Sequence, residues 1–62
     1  METRNLYRDN ERVVEAVFYN DKLLYTEIYF FDADLSVRGR VTVYSNGTVI
    51  ISGDVDVIKG GD

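Results

Sequence analysis

The chain contains neither cysteine nor histidine. Without cysteine there is no disulfide to staple the fold and no thiolate nucleophile. Without histidine the commonest general base is missing, and the usual zinc sites are excluded with it. No stretch approaches the ~20 apolar residues that a membrane helix requires, and no secretory leader is visible. A cytoplasmic protein without membrane contact is therefore expected. Positive charge is scarce as well. Seven Lys and Arg stand against eleven Asp and Glu, for a net charge of −4. Phosphate-backbone binding depends on Lys and Arg, so a nucleic-acid partner is the less favoured kind.

These absences also bear on catalysis. Ser36, Ser45 and Ser52 have no activating base in the sequence around them. Asp54 and Asp56 share a strand face, as a general acid and base can, but Arg38 and Ser36 are their expected cross-strand partners. So short a chain seldom encloses a ligand-sized cavity. The expectation is a protein that is not an enzyme and carries no cofactor. Asp32-Ala33-Asp34 holds too few acids for a specific Mg²⁺ or Ca²⁺ site and reads as a turn. Asn46-Gly47-Thr48 matches a glycosylation sequon and likewise reads as a tight turn.

What the sequence does contain is strand signal, clearest in Leu35–Ile58. Leu35, Val37, Gly39, Val41 and Val43 alternate with Ser36, Arg38, Arg40, Thr42 and Tyr44, and a similar alternation follows Asn46-Gly47. A two-residue Asn-Gly turn would pair Val41 with Ser52 and mix the two faces. A three-residue loop, Ser45-Asn46-Gly47, pairs Tyr44 with Thr48, Val43 with Val49, Val41 with Ile51, Val37 with Val55 and Leu35 with Val57. A one-residue slip flips every side chain, so the three-residue loop is predicted. Its aliphatic face turns to the core. Its other face carries a charge ladder of Arg38, Arg40, Asp54 and Asp56. Gly39 falls opposite Gly53, leaving bare backbone over which an aromatic side chain is expected to lie.

A second hairpin is predicted from residues 12–19 and 23–31 around Asn20-Asp21-Lys22, its loop length left open. Here both faces carry large apolar groups. Val14, Ala16 and Phe18 oppose Val13, Val17 and Tyr19, while Tyr25, Tyr29 and Phe31 share a face with Leu23. Residues 1–11 form either a flexible arm or a short edge strand. The fold class is all-β: one domain over 1–62, an antiparallel meander of four or five strands, as an open sheet or a small barrel.

A domain this small usually relies on disulfides, a metal or a partner subunit. With the first two set aside, homo-oligomerisation is expected. The candidate partner-binding or oligomer-interface residues are Tyr25, Tyr29, Phe31, Tyr44 and Ile50, because exposed aromatic and aliphatic patches mark interaction surfaces. The leading expectation is an acidic interaction module that oligomerises and binds a protein partner. Inhibition by competing for a basic surface fits it, as in a viral counter-defence protein or an antitoxin. The alternatives are an oligomer that stacks single-stranded RNA or DNA on its tyrosines, and a structural self-assembling component.

Two local resemblances accompany this reading. Val13–Asp21 looks like the opening hairpin of a small archaeal antitoxin family of VapB-like type. Ser36–Arg40 with Val49-Ile50 is similar to the paired strands of the tryptophan-sensing RNA-binding attenuator ring. Each covers a single hairpin, and no functional residue is carried over from either.

Overall fold

The structure, a computed structural model, describes residues 1–55. These residues form five strands: β1 (Glu2–Arg8), β2 (Arg12–Tyr19), β3 (Lys22–Phe31), β4 (Val37–Tyr44) and β5 (Val49–Gly53). They lie in the order β1-β2-β3-β4-β5, each antiparallel to the next. The meander is therefore an open sheet with β1 and β5 at its edges, and it does not close into a barrel. Residues 2–8 are an edge strand, paired from Glu2↔Phe18 to Arg8↔Val13. All seven of its residues are exposed, so backbone pairing holds it, helped by Arg4 over the Phe18 ring and Arg12 over the Tyr7 ring.

The loops show why this register is chosen. Asn20 and Asp21 have φ values of 49° and 62° and make a two-residue turn, with Tyr19 opposite Lys22. Asx residues tolerate this left-handed region, which matches the twist of a hairpin. Between β4 and β5, Tyr44 N–H donates to Thr48 O at 2.8 Å and Gly47 N–H to Tyr44 O at 2.9 Å. Gly47 has φ 92°. This is the three-residue loop that the face-matching argument required, and Val43↔Val49, Val41↔Ile51 and Gly39↔Gly53 pair accordingly.

The β3–β4 connection repeats that design. Asp32 N–H donates to Ser36 O at 2.9 Å and Leu35 N–H to Asp32 O at 2.8 Å. Asp34 Oδ1 accepts from Ser36 N–H at 3.0 Å, as Asn46 Oδ1 accepts from Thr48 N–H at 3.0 Å. Leu35 occupies the place that Gly47 takes in the other loop, with φ 67° and 63% of its surface exposed. The sequence reading placed Leu35 on the hairpin strand; the loop claims it instead, and β4 begins at Val37. Val57, its expected partner, lies outside the described residues.

Bulges interrupt the alternation at Leu6, Leu24 and Arg38. At the last, Phe30 opposes Gly39 and Phe31 opposes Val37, so Arg38 is the extra residue on β4. The Gly39–Gly53 gap is filled differently from expectation. Gly53 has φ 74°, and the following backbone crosses Gly39 so closely that a Cβ there would lie 1.8 Å from the Asp54 carbonyl oxygen. The Asp54 main chain and the Val55 side chain occupy the gap, in place of an aromatic ring. Phe30, only 3% exposed, flanks it on β3. Two bare residues admit backbone where a side chain would have stopped it.

One layer of sheet leaves a thin interior. Val13, Ala16, Val17 and Phe30 are the buried apolar residues, and among the described residues no side chain is below 2% exposure.

Leu35→Gly should stabilise the protein by about 1 kcal/mol, the ~1–2 kcal/mol of left-handed strain less the entropy that glycine adds to the unfolded chain. Gly47→Ala should destabilise it by about 1 kcal/mol. Urea unfolding midpoints of the two variants would move in opposite directions.

Candidate interaction surface

The register stacks side chains in rows across the sheet. On one face a row runs Val17, Tyr25, Tyr44, the next Glu15, Glu27, Thr42, Ile50, and the next Val13, Tyr29, Arg40, Ser52. Tyr25, Tyr29, Tyr44 and Ile50 are thereby gathered on a single surface. The Tyr25 and Tyr44 rings meet at a centroid distance of 5.6 Å, tilted by 55°. Two expected neighbours are not part of this cluster. The bulge at Leu24 sets Leu23 opposite Phe18, on the other face. Phe31 lies at the end of β3, in a cleft with Asn10, Glu11 and Leu35.

The centre of the tyrosine face is polar. Glu27 accepts a hydrogen bond from Thr42 Oγ1 at 3.1 Å and another from the Tyr29 hydroxyl. Arg40 Nε stands 4.0 Å from the same carboxylate, whose side chain is only 16% exposed. The Tyr29 hydroxyl is held above its ordinary pKa, first because it donates to Glu27, then through desolvation and the negative charges of Glu27 and Glu15. Glu15 lies directly opposite Glu27 across the β2–β3 pair. Like charges in that position repel. Sequence reasoning passed over Glu15 and Glu27. Their signal is that each is the one acid in an otherwise apolar strand, but only the register shows that they face each other.

The charge ladder takes another form. Arg40 has Glu27 on β3 as its carboxylate neighbour, and Ser52 opposite it on β5. The Arg38 guanidinium lies 5.5 Å from the Phe30 ring centroid and donates to the Asp54 main-chain oxygen at 3.1 Å. Asp54 N–H returns a bond to Arg38 O at 3.0 Å. Asp56 lies outside the described residues.

The opposite face is aliphatic. Val14, Ile28, Val41 and Ile51 form a row across four strands, and Ala16, Thr26, Val43 and Val49 form the next. This is the face expected to turn to the core, yet Val49 is 53% and Ile51 61% exposed. The chain after β5 crosses this face at Gly39, where the Asp54 carbonyl and the Val55 side chain lie, and it leaves the Val49 and Ile51 end open. Arg4 shields part of its β1 margin, its guanidinium 4.1 Å above the Phe18 ring centroid.

Among the described residues no cluster of three or more acids is placed to hold a metal ion, and no helix is long and apolar enough to cross a membrane. No family model matches the chain, and neither a curated protein nor a solved structure shows significant similarity to it.

Thr42→Val should cost about 1 kcal/mol, because it removes a buried donor from Glu27. Glu15→Gln should instead stabilise the sheet, by a few tenths to ~1 kcal/mol. Denaturant titration separates the two. Tyr29 adds a pH dependence. Its folded pKa lies above the unfolded value of about 10, so its contribution is complete below that pH and is lost as pH rises through the folded value. Stability should fall on the alkaline side of pH ~10, and less steeply in Tyr29→Phe.

Proposed function

We propose that this protein is a non-enzymatic interaction module, an acidic sheet that oligomerises and offers its tyrosine face to a macromolecular partner bearing basic groups. The observation that carries this reading is the Glu15–Glu27 pair set among Tyr25, Tyr29 and Tyr44. A cationic group from a partner would relieve the repulsion between the two carboxylates. The tyrosine rings provide faces on which a guanidinium can stack, and rigid contact area at low entropic cost. A phosphate backbone would meet the same carboxylates unfavourably, which ranks single-stranded nucleic acid second. A protein of this kind acts by masking a basic surface, as an inhibitor in counter-defence or an antitoxin does.

The test is a titration of the full chain with an arginine-rich peptide and, in parallel, with single-stranded RNA, both at low salt. The peptide should perturb the NMR signals of Tyr25, Tyr29 and Tyr44. Glu15→Gln together with Tyr25→Ala should weaken that binding by about tenfold or more, the loss of roughly 1.4 kcal/mol or more. RNA should cause no gel retardation. Retardation that depends on Tyr25 would transfer the assignment to nucleic-acid binding. Peptide binding indifferent to both substitutions would end the reading.

A further inference from the structure

We infer that the cleft at Leu35 and Phe31 is an anchor site for the partner, and that it takes an aliphatic side chain flanked by arginine or lysine. This deepens the proposed function and rests on it for the partner's basic character. The cleft itself is argued from separate observations.

The first is Leu35. The β3–β4 loop repeats the β4–β5 loop bond for bond. Asp32 N–H to Ser36 O and Leu35 N–H to Asp32 O match Tyr44 N–H to Thr48 O and Gly47 N–H to Tyr44 O. Asp34 and Asn46 accept the same N–H bond from the second residue after each. At the left-handed position one loop has glycine with φ 92°, the other leucine with φ 67°. The backbone disfavours a large side chain there, and at 63% exposure this one gains little from burial. The turn does not need a leucine, so its value lies in what it presents.

The second is the ground around it. Leu35, Phe31 and Asn10 line two clefts in common, one of about 620 Å³ beside Glu11, Asp32 and Ala33 and one of about 410 Å³ beside Arg8. Both fall within the ~300–1,000 Å³ of ligand sites. Aliphatic and aromatic anchors that fill such clefts dominate the affinity of a protein partner.

The third is charge, which selects the occupant. Asp9 accepts from the Tyr7 hydroxyl and from Glu11 and Arg12 N–H. Asp34 accepts from Ser36. Arg12 lies over the Tyr7 ring, and Arg38 lies over Phe30 and bonds the Asp54 main chain. Glu11 and Asp32 have no ion-pair partner among the described residues. The wider cleft therefore offers an occupant two carboxylates not neutralised by these arginines, while Arg8 stands on the narrower side. Phe31 is four residues beyond Glu27 on β3, about 13 Å along the strand. An extended segment whose cation meets Glu27 thus reaches the cleft with the residue four positions away.

The test uses two arginine-rich peptides that differ only in a leucine or an alanine four residues from an arginine, and a third with aspartate in place of the arginines around the leucine. With the full chain at low salt, the leucine peptide should bind about tenfold tighter than its alanine twin and shift the Leu35 methyl signals. The aspartate peptide should do neither. Leu35→Gly should erase the preference for leucine while raising the urea midpoint, so the loss is not one of folding.

Equal binding of the leucine and alanine peptides, or a preference that survives Leu35→Gly, would overturn the inference. The proposed function would still stand if the tyrosine signals moved. Shifts at Leu35 with none at Tyr25, Tyr29 and Tyr44 would keep the cleft and remove the tyrosine face. Binding of the aspartate peptide at the cleft would overturn the assigned occupant. So would Leu35 methyl signals that a soluble paramagnetic agent fails to broaden in the free protein, because the chain itself or a second copy would then fill the cleft.

Discussion

A strand sends alternate side chains to opposite sides, and every other feature of this protein follows from having to satisfy two faces with one layer of chain. With no helix among the described residues to cover either side, the sheet divides its apolar content between them. Val13 and Val17 are buried on the tyrosine side, Ala16 and Phe30 on the aliphatic side. The interior is thus two shallow patches rather than one core. Side chains that elsewhere would be decorative become cover: Arg4 over Phe18, Arg38 over Phe30, and the Tyr25–Tyr44 pair over its own end of the sheet.

Departures from regular geometry lie where the sheet gains cover. At Gly39 and Gly53 two missing side chains let the chain cross itself, so that Arg38 and Asp54 bond main chain to main chain. At Leu35 the backbone adopts a conformation that glycine adopts in the matching loop, and an exposed leucine is held beside the cleft of Phe31. At Glu15 and Glu27 like charges are set opposite each other, with Glu27 compensated by two hydroxyls and Arg40. Each costs some stability locally. The carboxylate pair is the one of these features whose cost a nearby cation offsets, as Arg40 does in part for Glu27.

Parts of this were legible in the sequence, and the reasons differ from strand to strand. The β4–β5 register could be read because both arms alternate cleanly and only one loop length keeps their faces consistent. The β2–β3 register could not, because both faces of that hairpin are apolar and a slip carries little penalty in pattern. With it went the meeting of Glu15 and Glu27. Strand β1 left no alternation to find, since all its residues are exposed on both faces of the sheet. The bulges at Leu24 and Arg38 were silent too, and they removed Leu23 from the tyrosine face and Arg38 from the ladder.

Composition and periodicity by themselves determined that this is an all-β meander, that its central hairpin turns on Ser45-Asn46-Gly47, and that no disulfide staples it. These properties are local, set by residue type and period-2 spacing along a few residues. Only the tertiary structure decided that the sheet stays open, that the tyrosines surround a carboxylate pair, and that the aliphatic rows line up across four strands. Those depend on register between strands distant in sequence, where one extra residue in a loop or bulge exchanges the faces.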